Sequence, residues 1–389
     1  MMSLSGEAKT HAPSVSSGES KPGLRDAPET PMFRRDDPAD YQLRAAACRH
    51  TGADAALPNR RGAMDRVIPP DGPDTATVAA ADQTARHWLW PQPGPLPVGS
   101  DAHRDAACRM FLETVNPYRP SVIDWPKLTD EARARLISLP IWDIAVQTEG
   151  KARLRMLAYS QSVADPAWRE AIGRNAWEEN RHKDVLSNLV AAYGIALAPE
   201  PAYQAPRDTE WAYLVTGFSE CIDSFFAFGL FDVARQSGFF PPELVDTFEP
   251  VIQEEARHIL LFANWLAWQR RRQPVWRRLW FELRVAAVWV FLAWERIGFA
   301  RGMESGASAP ADNNFTLTGS KAVSDVDINV TALMAVCLAE NDRRFAGYDA
   351  RLLRPTTTPA IARLVCGLGT AQQRVRRWLR RGKPAAAPR

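Results

Sequence analysis

The 389-residue chain has little cysteine, and what it has is scattered: Cys48, Cys108, Cys221, Cys337 and Cys366, with no C-x-x-C pair. That excludes a zinc ribbon or a rubredoxin-type iron site and argues against a disulfide framework. Long hydrophobic runs are also missing. The longest purely apolar stretch, Val285 to Trp294, is far short of the roughly 20 residues that span a bilayer. The N-terminus carries no apolar h-region, so no secretory signal is expected and the cytoplasm is the expected compartment. No charge of one sign dominates. A net charge of +3 does not imply a nucleic-acid partner, and the basic residues are gathered locally instead. Residues 1–84 are rich in Pro, Ser, Gly, Asp and Arg and lack sustained hydrophobic periodicity, so disorder is expected there.

What is present is a 46% hydrophobic content, enough for a well-packed globule, and a duplicated pentapeptide. Glu178-Glu179-Asn180-Arg181-His182 and Glu254-Glu255-Ala256-Arg257-His258 share one frame. In each, a Glu and a His stand three apart and project from one face of a helix. Two such helices facing each other hold a pair of ions when two further carboxylates arrive from elsewhere, and Glu149 and Glu220 can supply them. Glu149, Glu179 and His182 would hold one ion and Glu220, Glu255 and His258 the other, with some of the carboxylates bridging.

The chain reads as all-α. Residues 85–138 form a leader: His87-Trp88-Leu89-Trp90-Pro91 opens it, a short helix spans Asp101 to Val115, and a Pro-containing connector covers Asn116 to Lys127. Four principal helices follow over residues 139–272. Asp165-Pro166 starts the second and Gly194 ends it; Asp208 starts the third, and Pro241-Pro242 opens the fourth. The first-to-second and third-to-fourth links are only about 3 to 6 residues, which forces antiparallel neighbours, while the second-to-third link is longer. At about 1.5 Å per residue, Glu149 and Glu179, each about 15 residues from the first turn, lie level. Glu220 (about 19 residues from the second turn) lies within about one turn of Glu255 and His258 (about 16 and 19). Residues 273–389 add a fifth helix, two further helices and a basic tail.

This E…E-x-R-H…E…E-x-R-H pattern resembles the ferritin-like di-iron carboxylate superfamily over about residues 139–272, and its E-E-x-R-H frame is similar to that of di-iron monooxygenases and oxidases. The resemblance implies an antiparallel four-helix bundle with one long crossover, followed by additional C-terminal helices. It also implies two Fe ions (Mn or mixed Fe/Mn being alternatives), O₂ and a small organic substrate as reactants, and hydroxylation, N-oxygenation or desaturation as the chemistry. Electrons would come from a separate donor, because no flavin, nicotinamide or iron–sulfur motif is found. Iron handling or ferroxidase activity without an organic substrate is the alternative. By the same resemblance, Glu178 and Glu254 would accept hydrogen bonds from the ligand His of the opposite helix, with Arg181 and Arg257 neutralising them; exposed charges are the plainer reading. Ser224 stands where monooxygenases carry a Thr that supports proton relay; a Ser bonded to its preceding carbonyl is the alternative. Asp223 stands where rubrerythrin-like proteins carry a further Glu, and is either a ligand or an ordinary polar residue. Leu186 replaces the tyrosine of radical-generating subunits.

Two aromatic features stay open. Phe218, Phe225, Phe226, Phe228 and Phe231 form either a wall for an apolar substrate or plain core. Between Trp265 and Arg301, tryptophans alternate with arginines. That suits peripheral membrane contact, a dock for an acidic redox partner, or a packed helix with a solvated basic end. A homodimer is also compatible with the chain.

Overall fold

The computed structural model describes residues 72–116, 118–304 and 330–381, all within one compact unit, Arg61–Arg389. Among the described residues there are ten α-helices and no strand. They are α1 Thr75–Arg86, α2 Asp101–Glu113, α3 Asp130–Ser138, α4 Trp142–Ser162, α5 Pro166–Tyr193, α6 Thr209–Ser237, α7 Pro242–Arg272, α8 Val275–Glu304, α9 Val330–Phe345 and α10 Thr357–Arg381.

The ends of the long helices follow local chemistry. The Asp165 carboxylate accepts from the backbone N–H groups of Ala167 and Trp168, and Pro166 occupies the first turn, where its missing donor costs nothing. Gly194 closes α5 at φ +70° and Gly238 closes α6 at φ +66°, left-handed positions that suit a residue without Cβ. The Asp208 side chain caps α6 through the Trp211 N–H at 3.0 Å. Pro250 sits inside α7 without ending it.

Links of this shortness make α4 and α5 antiparallel neighbours, and likewise α6 and α7. α4 also lies along α6, and α5 touches α7. Around these four, α2 packs on α5 and α7, α8 on α6, α9 on α6 and α7, and α1 on α7. The α6/α7 approach is close because Gly217 faces the Phe262 ring directly. A core of Tyr159, Tyr213, Phe218, Phe262 and Trp265 fills the space between α4, α6 and α7 through mutually stacked and edge-on rings. By length and composition α6 alone among the described helices could cross a membrane, and 61% of that stretch is buried in the protein.

Two helices depart from the sequence expectation. α1 falls inside the stretch read as disordered, the rest of which lies outside the described residues. Its order comes from docking: Asp74 caps it through Thr77, Ala81 and Ala85 are buried, and the Tyr348 hydroxyl donates to the Ala85 carbonyl. None of those partners is local apart from the cap. α3 adds a helix to the leader, capped by Thr129 and seated through Leu136. The Gly302–Ser324 loop falls mostly outside the described residues, and the basic tail beyond 381 entirely so.

Candidate metal centre

α5 and α7 each bury four ionisable side chains within five residues. Glu178, Glu179, Arg181 and His182 are all at most 2% exposed; on α7, Glu254, Arg257 and His258 are at 0%, and only Glu255 retains some exposure. Charges are taken out of water at such density only when they satisfy one another or bind metal.

Each imidazole spans the gap between the two helices. His182 Nε2 lies 2.7 Å from Glu254 Oε2 and His258 Nε2 lies 2.9 Å from Glu178 Oε2. The other ring nitrogens face inward. His182 Nδ1 is 3.0 Å from Glu255 Oε1, and His258 Nδ1 is 2.7 Å from Glu179 Oε1 and 3.8 Å from Glu255 Oε2. These inner approaches are close but lack hydrogen-bond geometry: His182 Nδ1, His258 Nδ1, Glu179 Oε1 and both Glu220 oxygens are buried without a hydrogen-bond partner. The two rings stack with centroids 5.1 Å apart.

Potential ligand atoms gather in two overlapping groups, Glu179–His182–His258 and Glu149–His182–Glu255, with the atoms of each group within 4.8 Å of one another. These buried carboxylate and imidazole groups can bind metal. The grouping differs from the one expected from the hairpins. Each His sits against the Glu of the opposite pentapeptide, because the rings reach across the α5/α7 interface rather than along their own helix. Glu179 falls in the first group and Glu255 in the second, and His182 is common to both. Glu220 joins the cluster electrostatically, feeling Glu179, His258, Glu255 and His182.

The charges divide sharply. Burial, then the negative charge of Glu179, pushes the Glu149 and Glu220 carboxyls well above the usual carboxylate range. Burial opposes ionisation of Glu178, Glu179 and Glu254 as well, but it is outweighed by Arg257 and His258 at Glu178, by His258 with Glu149 and His182 at Glu179, and by Arg181 and His182 at Glu254, and all three are held low. Burial would discharge His182, yet its contacts with Glu254 and Glu255 raise it to about 10. His258 is raised by Glu179 and Glu178 against the same burial.

An outer clamp, missed in the sequence, comes from the leader. Arg257 donates to both Glu178 oxygens (2.8 and 2.9 Å), to Thr114 Oγ1 at 2.7 Å and to the Phe111 carbonyl at 2.8 Å, and it lies over the Phe111 ring at 4.5 Å. Arg181 pairs with Glu254 and stacks on Tyr118 at 4.7 Å. Asn116 donates its amide to Glu254 and its backbone N–H to Glu178 at 3.4 Å. The only hint was a small polar pair, Thr114 and Asn116, ahead of a Pro-Tyr step in a supposed connector.

Ser224 donates to Glu255 Oε2 at 3.5 Å, so its hydroxyl reaches a candidate ligand. Asp223 does not turn to the cluster. It accepts from Arg296 of α8 at 2.9 and 3.1 Å and from Ser219 at 2.9 Å, because its helix face points at α8. The aromatic wall divides too. Phe218 packs on Phe262 and Trp289, Phe228 lies under Arg344, and Phe231 packs on Phe248. Phe225 and Phe226 instead line an apolar cavity of about 140 Å³ together with Ile222, Trp289, Met334 and Ile361.

A scan against protein-family models and searches of curated proteins and of solved structures returned no match.

Proposed function

We propose that α4, α5, α6 and α7 form a ferritin-like bundle carrying a di-iron or mixed Fe/Mn carboxylate centre, and that the protein uses O₂ to oxidise a small organic substrate. One observation carries the reading. Both imidazoles have their outer nitrogen bonded to a buried carboxylate and their inner nitrogen left without a hydrogen bond, beside Glu179 Oε1 and the Glu220 carboxyl, which also lack partners. A divalent cation satisfies that set, and mixed carboxylate and imidazole donors suit iron or manganese. When bound there, a pair of reduced ions can supply two electrons to O₂ at adjacent centres.

The chain's own residues do the rest. Glu178 and Glu254 fix the outer nitrogens of His258 and His182 as donors, so the inner nitrogens would offer lone pairs once a cation displaces their protons. Arg257 and Arg181 keep those two carboxylates ionised. Ser224 holds a hydroxyl proton beside Glu255, placed for relay. Phe111 and the Tyr159/Tyr213 layer exclude water from the sides. Hydroxylation, N-oxygenation or desaturation all fit this arrangement, with electrons from a separate donor protein. The cavity beside Phe225 and Phe226 suits an apolar reactant.

Metal analysis of protein expressed with iron or manganese, paired with optical spectra of the anaerobically reduced protein on mixing with O₂, tests the reading. Two ions per chain and a transient absorption that decays faster when an organic substrate is added are expected. Slow conversion to a ferric mineral inside a large many-subunit shell would favour iron handling instead. Less than one transition-metal ion per chain would refute both.

A further inference from the structure

α8 presents to solvent a face that no water-facing helix needs. Trp276, Trp280 and Trp294 are 62, 69 and 69% exposed, and Val275, Leu279, Leu283, Val290 and Ile297 are each more than half exposed. Their spacing of three and four residues puts them in one stripe about 33 Å long at 1.5 Å per residue. The three tryptophans alone leave the surface of about two indoles, roughly 400 Å². Apolar patches beyond a few hundred Å² are uncommon on soluble monomers and mark an interaction site.

The charges say what kind. The other exposed described positions of α8 are Arg277, Arg278, Ala286, Ala287 and Ala293. None is acidic, and none is a neutral polar residue. Arg271 and Arg272, at the end of α7, are exposed beside them. Arg277 lies over the Trp276 ring at 4.9 Å. Among the described residues the acids near this face stand beside arginines: Glu282 with Arg270, Asp208 and Glu210 with Arg284, Glu295 4.0 Å from Arg296, and Asp101 3.9 Å from Arg272. The first two turns, Val275 to Trp280, are exposed on every side and stand clear of the body.

We propose that this face docks on an anionic lipid surface, with the indoles at the headgroup level and Arg271, Arg272, Arg277 and Arg278 against lipid phosphates. Indoles beside guanidiniums on one side of a helix match an interfacial segment, with apolar burial and attraction to anionic lipid acting together. A second copy of the chain fits less well, since an isologous contact would bring together two faces that carry only positive charge. The proposal is independent of the metal-centre reading.

Co-sedimentation of the full chain with phosphatidylcholine vesicles, with and without phosphatidylglycerol, tests it. Binding to the anionic vesicles, weakened by salt, is expected. Arg277→Gln/Arg278→Gln should lower the partition coefficient roughly thirtyfold, the factor for losing about 1 kcal/mol of lipid attraction at each of two cations. Trp276→Ser/Trp280→Ser/Trp294→Ser should abolish binding while circular dichroism and metal content stay at parental values. A full chain that stays in the supernatant overturns the proposal. So does a dimer by sedimentation velocity that the tryptophan variant converts to monomer, or binding that the tryptophan variant retains.

Discussion

Replacing Arg257 with methionine tests whether the outer clamp is an electrostatic unit or mere packing. The guanidinium is fully buried and bonds both oxygens of an equally buried Glu178. Methionine keeps much of the volume but leaves that carboxylate facing a hole in its charge balance, with only His258 and the Asn116 N–H remaining. Removing one partner of a buried pair costs roughly 3–5 kcal/mol. Glu178→Gln alone strands the guanidinium and should cost a similar amount. The double variant removes both charges, and the new amide oxygen still accepts from His258 Nε2. What stays lost are the Arg257 bonds to Thr114 and the Phe111 carbonyl, about 1 kcal/mol each. The pair should therefore be less destabilised than either single change, about 2 kcal/mol against a sum of roughly 6–10, a coupling of about 4–8 kcal/mol. Urea unfolding of chelator-treated protein, followed at 222 nm, measures it. Additive costs would refute the reasoning, since packing loss sums and an uncompensated charge does not. Metal affinity supplies an independent check, because loss of the group that orients an imidazole typically lowers it 10–100-fold.

Gly217→Ala should destabilise by about 1–3 kcal/mol, as a Cβ there would lie within the Phe262 ring and force α6 and α7 apart; an unchanged melting temperature would show that the helices separate freely. His103 is buried, its Nε2 lies 2.9 Å from Asn264 Oδ1, and burial holds it below its ordinary value of 6.5. The unfolded chain therefore takes up its proton first, so the His103 contribution to stability should be flat above 6.5 and fall as pH drops below it. His103→Gln should make that fall shallower in denaturation curves at pH 7 and pH 5, and an unchanged slope would assign the loss to other groups. Glu220→Gln removes a buried carboxylate with no hydrogen-bond partner. It should leave metal-free stability unchanged or higher while bound metal drops from two ions toward one; full loading by elemental analysis would remove Glu220 from the ligand set.

The parts of this molecule legible in the sequence are those governed by neighbours along the chain. Asp165, Gly194 and Asp208 place helix ends through bonds to residues two to four away, and Gly238 does so through its left-handed backbone. Helical spacing puts Glu179 with His182 and Glu255 with His258, and turn lengths set Glu149 level with Glu179 and Glu220 within about one turn of Glu255 and His258. What escaped depends on rotation and docking. Whether Asp223 faces the cluster or α8 is decided by how α6 turns about its axis, and Arg296 lies more than seventy residues away. α1 is held by Tyr348 and by an Arg86–Glu249 ion pair. Thr114 and Asn116 serve Arg257 and Glu254 across more than a hundred residues, and nothing beside them in the chain announces it.

Counting charge explains how such a centre survives without metal. Six carboxylates (Glu149, Glu178, Glu179, Glu220, Glu254, Glu255) face two guanidiniums and two imidazoles. Protons on His182, His258, Glu149 and Glu220 would make the set neutral, and those four are the carboxyl and imidazole groups of the cluster whose titration is raised. On the proposed reading, two divalent cations replacing four protons would leave it neutral again, so metal and protons would compete for one set of lone pairs. Loading at neutral pH should thus release about four protons per chain. The sign for stability follows: the contribution of His182 to the metal-free fold is complete below 6.5 and fades as pH rises through about 10. Chelated protein should weaken in that alkaline range, while metal-loaded protein should not. Titration of metal into weakly buffered protein, at two buffers of different ionisation enthalpy, counts the protons directly. Release of fewer than about two would mean the imidazoles already carry free inner nitrogens, and the exchange account would fail.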